Sequence, residues 1–170
     1  MSRLSDAAKA EALRCFHGYV MKTEANIQEI IAYFPGWTIE EANGNWCAAF
    51  VYHCCRKAEY KIPIRPCECV CSHLAGCGAW EEWAKADPRI EYYDAQKEDA
   101  TPKPGDIVLF DRVFRDLEHD HIGIIVAADE NSITVAEGNI NNISGIIKRK
   151  RNEHIRAYIR LPENFSYDAK

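Results

Sequence analysis

The sequence predicts an α+β domain whose N-terminal helices pack on a C-terminal antiparallel sheet. Helix-favouring runs fill about residues 1–100, and short β-type runs fill about residues 101–162. Helices that precede strands, rather than alternating with them, give this class. A length of 170 residues, 47% of them hydrophobic and 28% charged, admits one compact domain, residues 1–170, and no second core. Four Trp, eight Tyr and six Phe are more aromatic content than disordered segments carry.

Residues from about Ser5 to Tyr33 favour helix, broken near Gly18, with a stop at Phe34, Pro35 and Gly36. Thr38 to Glu41 fits a capping box, with Trp37 as the preceding apolar residue. Asn45 is a good N-cap for a run from Trp46 to Ala58 without Gly or Pro, in which Cys47, Phe50, Val51, Cys54 and Ala58 share one apolar face. A further helix is expected from about Ser72 to Ala86, where Asp87 and Pro88 stop it; its Trp80 and Trp83 suit core or cleft wall. Strands are expected at Asp106 to Phe110, His121 to Val126, Ser132 to Ala136, Gly145 to Lys148 and His154 to Ile159. Pro104 with Gly105, Asp129 to Asn131, and Asn141 with Asn142 supply turns between them.

With 21 basic and 26 acidic residues the net charge is −5, which argues against a nucleic-acid binder, since those carry a basic surplus. No apolar run approaches the roughly 18 residues of a membrane span. The start MSRLSDAAKAE lacks the apolar core of a signal peptide, so synthesis in the cytoplasm is expected. Reduced thiols are then the default for the eight cysteines.

A cysteine nucleophile acts as its thiolate, which a helix N-terminus favours. Cys47 has that position; it is also the first residue of a buried helical face, a purely structural role. His121 opens a strongly apolar strand where Val or Ile is the ordinary choice, and Gly123 leaves room for close approach. The next strand ends in Glu137, Gly138 and Asn139, so that a carboxylate and an amide come near the same sheet edge if the two strands form a hairpin. Either group can accept the second imidazole N–H and fix the ring.

Four ordered blocks carry a resemblance to a known family: Trp46 to Val51 (WCAAFV), Pro104 to Asp111 (PGDIVLFD), Asp120 to Val126 (DHIGIIV) and Glu137 to Asn139 (EGN). In order and spacing they resemble the CHAP cysteine amidohydrolases and peptidases, papain-like enzymes that cut bacterial peptidoglycan. With the leading helices the resemblance spans most of residues 20 to 162. It implies a papain-like fold, Cys47 as nucleophile, His121 as general base and acid, and Glu137 and Asn139 as groups that orient His121. Asn45 and Trp46 lie where some relatives form the oxyanion hole and cleft, although Trp46 separates Asn45 from the cysteine; the backbone N–H of Cys47 is the better donor. The implied substrate is peptidoglycan, cut between N-acetylmuramic acid and L-alanine or within the peptide, with no cofactor, by a monomer released or delivered to the wall.

Other features compete. Cys67, Cys69, Cys71, His73 and Cys77 form a thiol-rich segment outside the family's motif, readable as unpaired thiols, as zinc ligands or as a redox element. As zinc ligands they make the alternative function a noncatalytic metal- or partner-binding module; a third reading keeps the fold but passes the thioester to an amine. His119 with His121 is a His-x-His pair that can hold a metal. Calcium is not expected, because no dense Asp/Asn loop precedes Cys47. The basic run Lys148 to Arg151 is either a solvated face or an attractor of anionic wall polymers.

Overall fold

The computed structural model describes residues 2–67, 73–97, 99–163 and 165–166. Among the described residues, five helices come first: α1 (Arg3–Ala12), α2 (Gln28–Ile31), α3 (Ile39–Ala42), α4 (Cys47–Lys57) and α5 (Cys77–Ala86). Six strands follow: β1 (Glu91–Asp94), β2 (Ile107–Phe110), β3 (His121–Ala128), β4 (Ser132–Ile140), β5 (Ile143–Lys150) and β6 (Ile155–Arg160). They form one antiparallel sheet in the order β1-β6-β2-β3-β4-β5, so the α+β class holds. Among the described residues, no helix is long and apolar enough to cross a membrane.

Helix α4 lies against β3 and β4 and under α1, which explains why it is buried on every side from Cys47 to Cys55. Ala48, Ala49, Tyr52, His53 and Cys55 are covered as well as the single face the periodicity marks. Alternation along β2 divides the apolar residues between two cores. Ile107 and Leu109 join the helices in the main core, while Val108 and Phe110 join Ile125, Val135 and Tyr158 in a smaller one.

The helix expected from Ser5 to Tyr33 is much shorter in fact. Leu4, Ala8 and Ala12 bury one face of α1, but the chain then leaves the helix, and Phe16 and Gly18 pair with the edge of β5. Gly18 N–H donates to Asn142 O at 2.9 Å and Ser144 N–H to Phe16 O at 2.8 Å. These long-range pairs satisfy backbone groups that a local helix would otherwise have satisfied, and tertiary context outweighs propensity. α5 also starts later than expected, at Cys77, and its Trp80 and Trp83 are core residues with no exposure.

β1 falls in the half expected to be helical. Its sequence, Glu-Tyr-Tyr-Asp, has no apolar alternation because it is an edge strand paired only to β6. The capping box is present as expected, with Glu41 N–H donating to Thr38 Oγ1 at 3.2 Å and Thr38 N–H to Glu41 Oε2 at 3.0 Å. At the β4–β5 hairpin the two loop residues, Asn141 and Asn142, both have positive φ (49° and 68°), the requirement of the tight turn that matches strand twist.

Candidate active site

Cys47 is the first residue of α4. The helix is capped by Trp46 rather than the expected Asn45, and no side chain takes its first N–H groups. Those donors and the positive end of the helix dipole therefore face the sulfur, and the backbone N–H of Ala48 hydrogen-bonds to it. β3 brings His121 to the same place, and β4 brings Glu137. Gly138 lets β4 sit directly on α4: a Cβ there would lie 2.5 Å from Phe50 Cβ. Gly123 leaves space for the Glu137 side chain, whose Cγ would be 2.9 Å from an added Cβ.

His121 and Glu137 are 1% and 0% exposed, and His121 Nε2 donates to Glu137 Oε2 at 2.7 Å. An ionised carboxylate only accepts, so Nε2 carries a proton and Nδ1 is the nitrogen left for the Cys47 side. Glu137 is held in turn by Arg149 of β5, which donates from Nε to Oε1 and from Nη2 to Oε2, the latter at 2.7 Å. Phe110 stacks on the His121 ring at 6.0 Å and Phe114 meets it edge-on at 4.9 Å, while the Arg149 guanidinium lies 5.1 Å from the Phe110 ring centre.

Charge follows from this geometry. The Cys77 thiol, 3.6 Å from the Cys47 sulfur, lowers the Cys47 pKa most; burial opposes it, and hydrogen bonding to His121 lowers it further. Burial works against a charged His121, yet Cys47 and Glu137 together push its pKa up. Burial also opposes a charged Glu137, and Arg149 with His121 outweighs it. A Cys47 thiolate beside a His121 imidazolium is the consistent state, with Cys77 keeping its proton as donor. Cys54 and Cys55 differ sharply: burial drives both thiols far up, with Cys55 and Glu11 adding to it at Cys54, and leaves them inert.

Cys47 and His121 line a cleft of about 560 Å³, whose wall also includes Asn45, Cys77, Phe114, Arg115 and Asn139, while Glu137 is buried behind the ring. Asn45 is exposed there. Trp46 is not part of the cleft wall as expected: its side chain is completely buried, and its indole N–H donates to Asn142 Oδ1 at 2.8 Å. Asn139 does not hydrogen-bond to the His121 ring; its Nδ2 donates to Gly44 O at 2.8 Å. Asn142 also accepts from Gly44 N–H and donates to Tyr19 O and Asn43 Oδ1, so the hairpin fixes the loop leading into Cys47.

The thiol-rich segment does not assemble a metal site among the described residues. Cys77 faces Cys47, His73 packs on Phe34 at 4.9 Å, and Cys67 lies against the main core, while Cys69 and Cys71 fall outside the described residues. His119 and His121 do not converge on a metal either, because His119 pairs with Glu81 and His121 with Glu137. Glu11, Glu29 and His53 are the one group of described residues close enough to hold an ion, and Arg14 and Lys57 already occupy the two carboxylates.

Arg149, Cys77 and Asn142 were not marked by the sequence as parts of the site. Arg149 was hidden in a basic run, where strand alternation was the one available signal: it separates Arg149 from Lys148 and Lys150. Comparison with curated proteins and with solved structures finds no match. A sequence profile of the CHAP domain matches residues 39–139, more than half of the chain and a stretch that holds Cys47, His121 and Glu137. The chain therefore belongs to the CHAP family, whose members are generally hydrolytic enzymes acting on peptidoglycan.

Proposed function

We propose that the protein hydrolyses an amide bond of bacterial peptidoglycan through a thioester on Cys47, as an N-acetylmuramoyl-L-alanine amidase or an endopeptidase. The observation that carries the reading is the buried relay in which Arg149 holds Glu137 and Glu137 holds His121 at 2.7 Å, with Cys47 on the other side of the ring. A charged, oriented imidazolium beside a thiol at an uncapped helix start has the makings of an activated nucleophile.

In this mechanism the Cys47 thiolate attacks the amide carbonyl. The Cys47 backbone N–H, at the start of α4, holds the developing oxyanion. His121 gives its Nδ1 proton to the departing amine, leaving a thioester; it then takes a proton from water, which attacks the thioester and releases the acid. Glu137 keeps the ring in place and stabilises its charge throughout, as does the carboxylate of a serine-protease triad. The cleft is open enough for a peptide stem, consistent with a polymeric substrate.

Purified protein is expected to clear a peptidoglycan suspension. Cys47→Ala and His121→Ala should abolish clearing with the fold intact, whereas Cys69→Ala should not. Full activity of Cys47→Ala would overturn the reading. Mass spectrometry of the digest identifies the bond cut, and products formed with added amine show whether the thioester is hydrolysed or transferred.

A further inference from the structure

We propose that Cys77 is the resolving cysteine of the site: a hydroperoxide that oxidises Cys47 is answered by a reversible Cys47–Cys77 disulfide. The disulfide removes the nucleophile from use and shields it from irreversible oxidation. The inference rests on Cys47 being the reactive thiolate of the proposed function and assigns the site a mode of regulation.

The two sulfurs are 3.6 Å apart and come from the first residues of different helices, α4 and α5. A disulfide measures about 2.05 Å, so the sulfurs must close by roughly 1.5 Å. The chain around Cys77 is built to allow that. Gly76 and Gly78 flank it, and the nearest atom to a Cβ placed on Gly78 is His119 Nδ1, 4.0 Å away. Cys77 also lines the cleft, so a small oxidant that enters reaches both sulfurs. α5 has no side-chain cap at Gly76, which leaves its first N–H groups available to a negative sulfur.

The order of events is set by charge. The Cys47 thiolate attacks the hydroperoxide; the O–O bond breaks, the leaving oxygen takes a proton and departs as alcohol or water, and Cys47 becomes a sulfenic acid. While Cys47 was anionic it held the Cys77 proton in place, and burial and Asp120 added to that suppression. A neutral sulfenic acid no longer does so. Cys77 then loses its proton and attacks Cys47 Sγ; the S–O bond breaks, and hydroxide leaves with that proton as water. Two thiols and one hydroperoxide give one disulfide, one alcohol or water and one further water. The sulfurs lose two electrons and the peroxide gains them. A dithiol reverses the step by exchange. Cys54 and Cys55 are fully covered with their ionisation suppressed, so they do not compete.

The test treats the reduced full chain with hydrogen peroxide, blocks remaining thiols with iodoacetamide and digests it without reductant for mass spectrometry. The expected result is a Cys47–Cys77 cross-linked peptide, a loss of two hydrogens from the intact mass, and complete recovery of Cys47 alkylation after dithiothreitol. In Cys77→Ser the same peroxide should carry Cys47 to sulfinic acid, with no recovery. Sulfinic acid at Cys47 of the unaltered chain, or pairing of Cys47 with Cys67, Cys69 or Cys71, would overturn the proposal. None of these readouts uses peptidoglycan. A reduced protein that forms the disulfide but cleaves no cell wall refutes the hydrolase and leaves the switch standing, whereas a Cys47 inert to both reagents refutes both.

Discussion

Arg149 of β5 grips both carboxylate oxygens of Glu137 of β4, and Glu137 in turn holds the Nε2–H of His121. The carboxylate has no exposure, whereas the Arg149 side chain is 15% exposed. Glu137 alone would be an uncompensated buried charge facing His121, and burial would favour its protonation. Arg149, ahead of His121, outweighs burial to keep it ionised, and an ionised Glu137 adds to Cys47 in keeping His121 an imidazolium.

Arg149→Met should therefore weaken the fold and change the titration of the ring together. Breaking one partner out of a buried ion pair costs about 3–5 kcal/mol, and the residual exposure of Arg149 places this variant at or below the lower end. Urea denaturation reads the stability. The upper limb of the pH profile of activity should move to lower pH, because a protonated Glu137 no longer supports the charge on His121. Arg149→Lys keeps the charge but loses the two-pronged geometry, so it should rescue only in part. An upper limb unchanged in Arg149→Met would show that Arg149 has a packing role alone.

The pH dependence has a definite sign on both limbs. The Cys47 thiol is lowered to about 5, chiefly by the Cys77 thiol against burial, so the thiolate is lost as pH falls through that value. His121 is raised to about 9, against burial, by Cys47 and Glu137, so the imidazolium is lost as pH rises through that value. Cys47 and His121 titrate as a unit, and these are apparent values of the pair. Activity should be bell-shaped between about pH 5 and 9, and iodoacetamide should alkylate Cys47 rapidly well below pH 8. An alkylation midpoint at the ordinary thiol value of about 8.5 would contradict the ion pair.

Much of this was legible in the sequence, for identifiable reasons. Cys47 at a helix start and His121 opening an apolar strand break the local pattern at element boundaries, and Glu137 follows the apolar run expected from Ser132 to Ala136, although β4 in fact continues past it to Ile140. Arg149 and Cys77 were not legible, because their roles depend on which residues the fold places opposite them. An arginine in a basic run looks solvated until the strand pairing of β4 and β5 turns it toward Glu137. β1 escaped notice because an edge strand needs no apolar alternation. The stretch between α1 and α2 is not the helix its composition favours, because its pairing partner, the start of β5, lies more than a hundred residues downstream.

Asn45 lines the cleft but does not cap α4, and the mechanism proposed above gives the oxyanion to the Cys47 backbone N–H. Asn45→Ala should then lower kcat by less than about tenfold. A loss of about 10²–10³, the usual cost of deleting a side-chain oxyanion donor, would reverse the assignment and give Asn45 that role. Steady-state kinetics on a soluble muropeptide separates the two.

Asn142 makes the sharpest test of how the hairpin positions Cys47. Its side chain accepts from Gly44 N–H and Trp46 Nε1–H and donates to Tyr19 O and Asn43 Oδ1, while its backbone sits at φ 68°. Asn142→Gly keeps that backbone conformation without strain and deletes only the side-chain bonds. It leaves the indole N–H of a completely buried Trp46 without its partner, at a cost of about 1–3 kcal/mol. Asn142→Ala adds the left-handed penalty of about 1–2 kcal/mol, so it should be the less stable of the two. In both variants the loop of residues 43–46 loses its bonds to the Asn142 side chain and keeps the bond from Asn139 Nδ2 to Gly44 O, and Cys47 follows it directly. The alkylation rate of Cys47 should therefore fall in Asn142→Gly under conditions where that variant is still folded by circular dichroism. If stability drops while the rate and its pH midpoint stay unchanged, Asn142 braces the turn without positioning the nucleophile, and Asn139, through its bond to Gly44, is left as the anchor that matters.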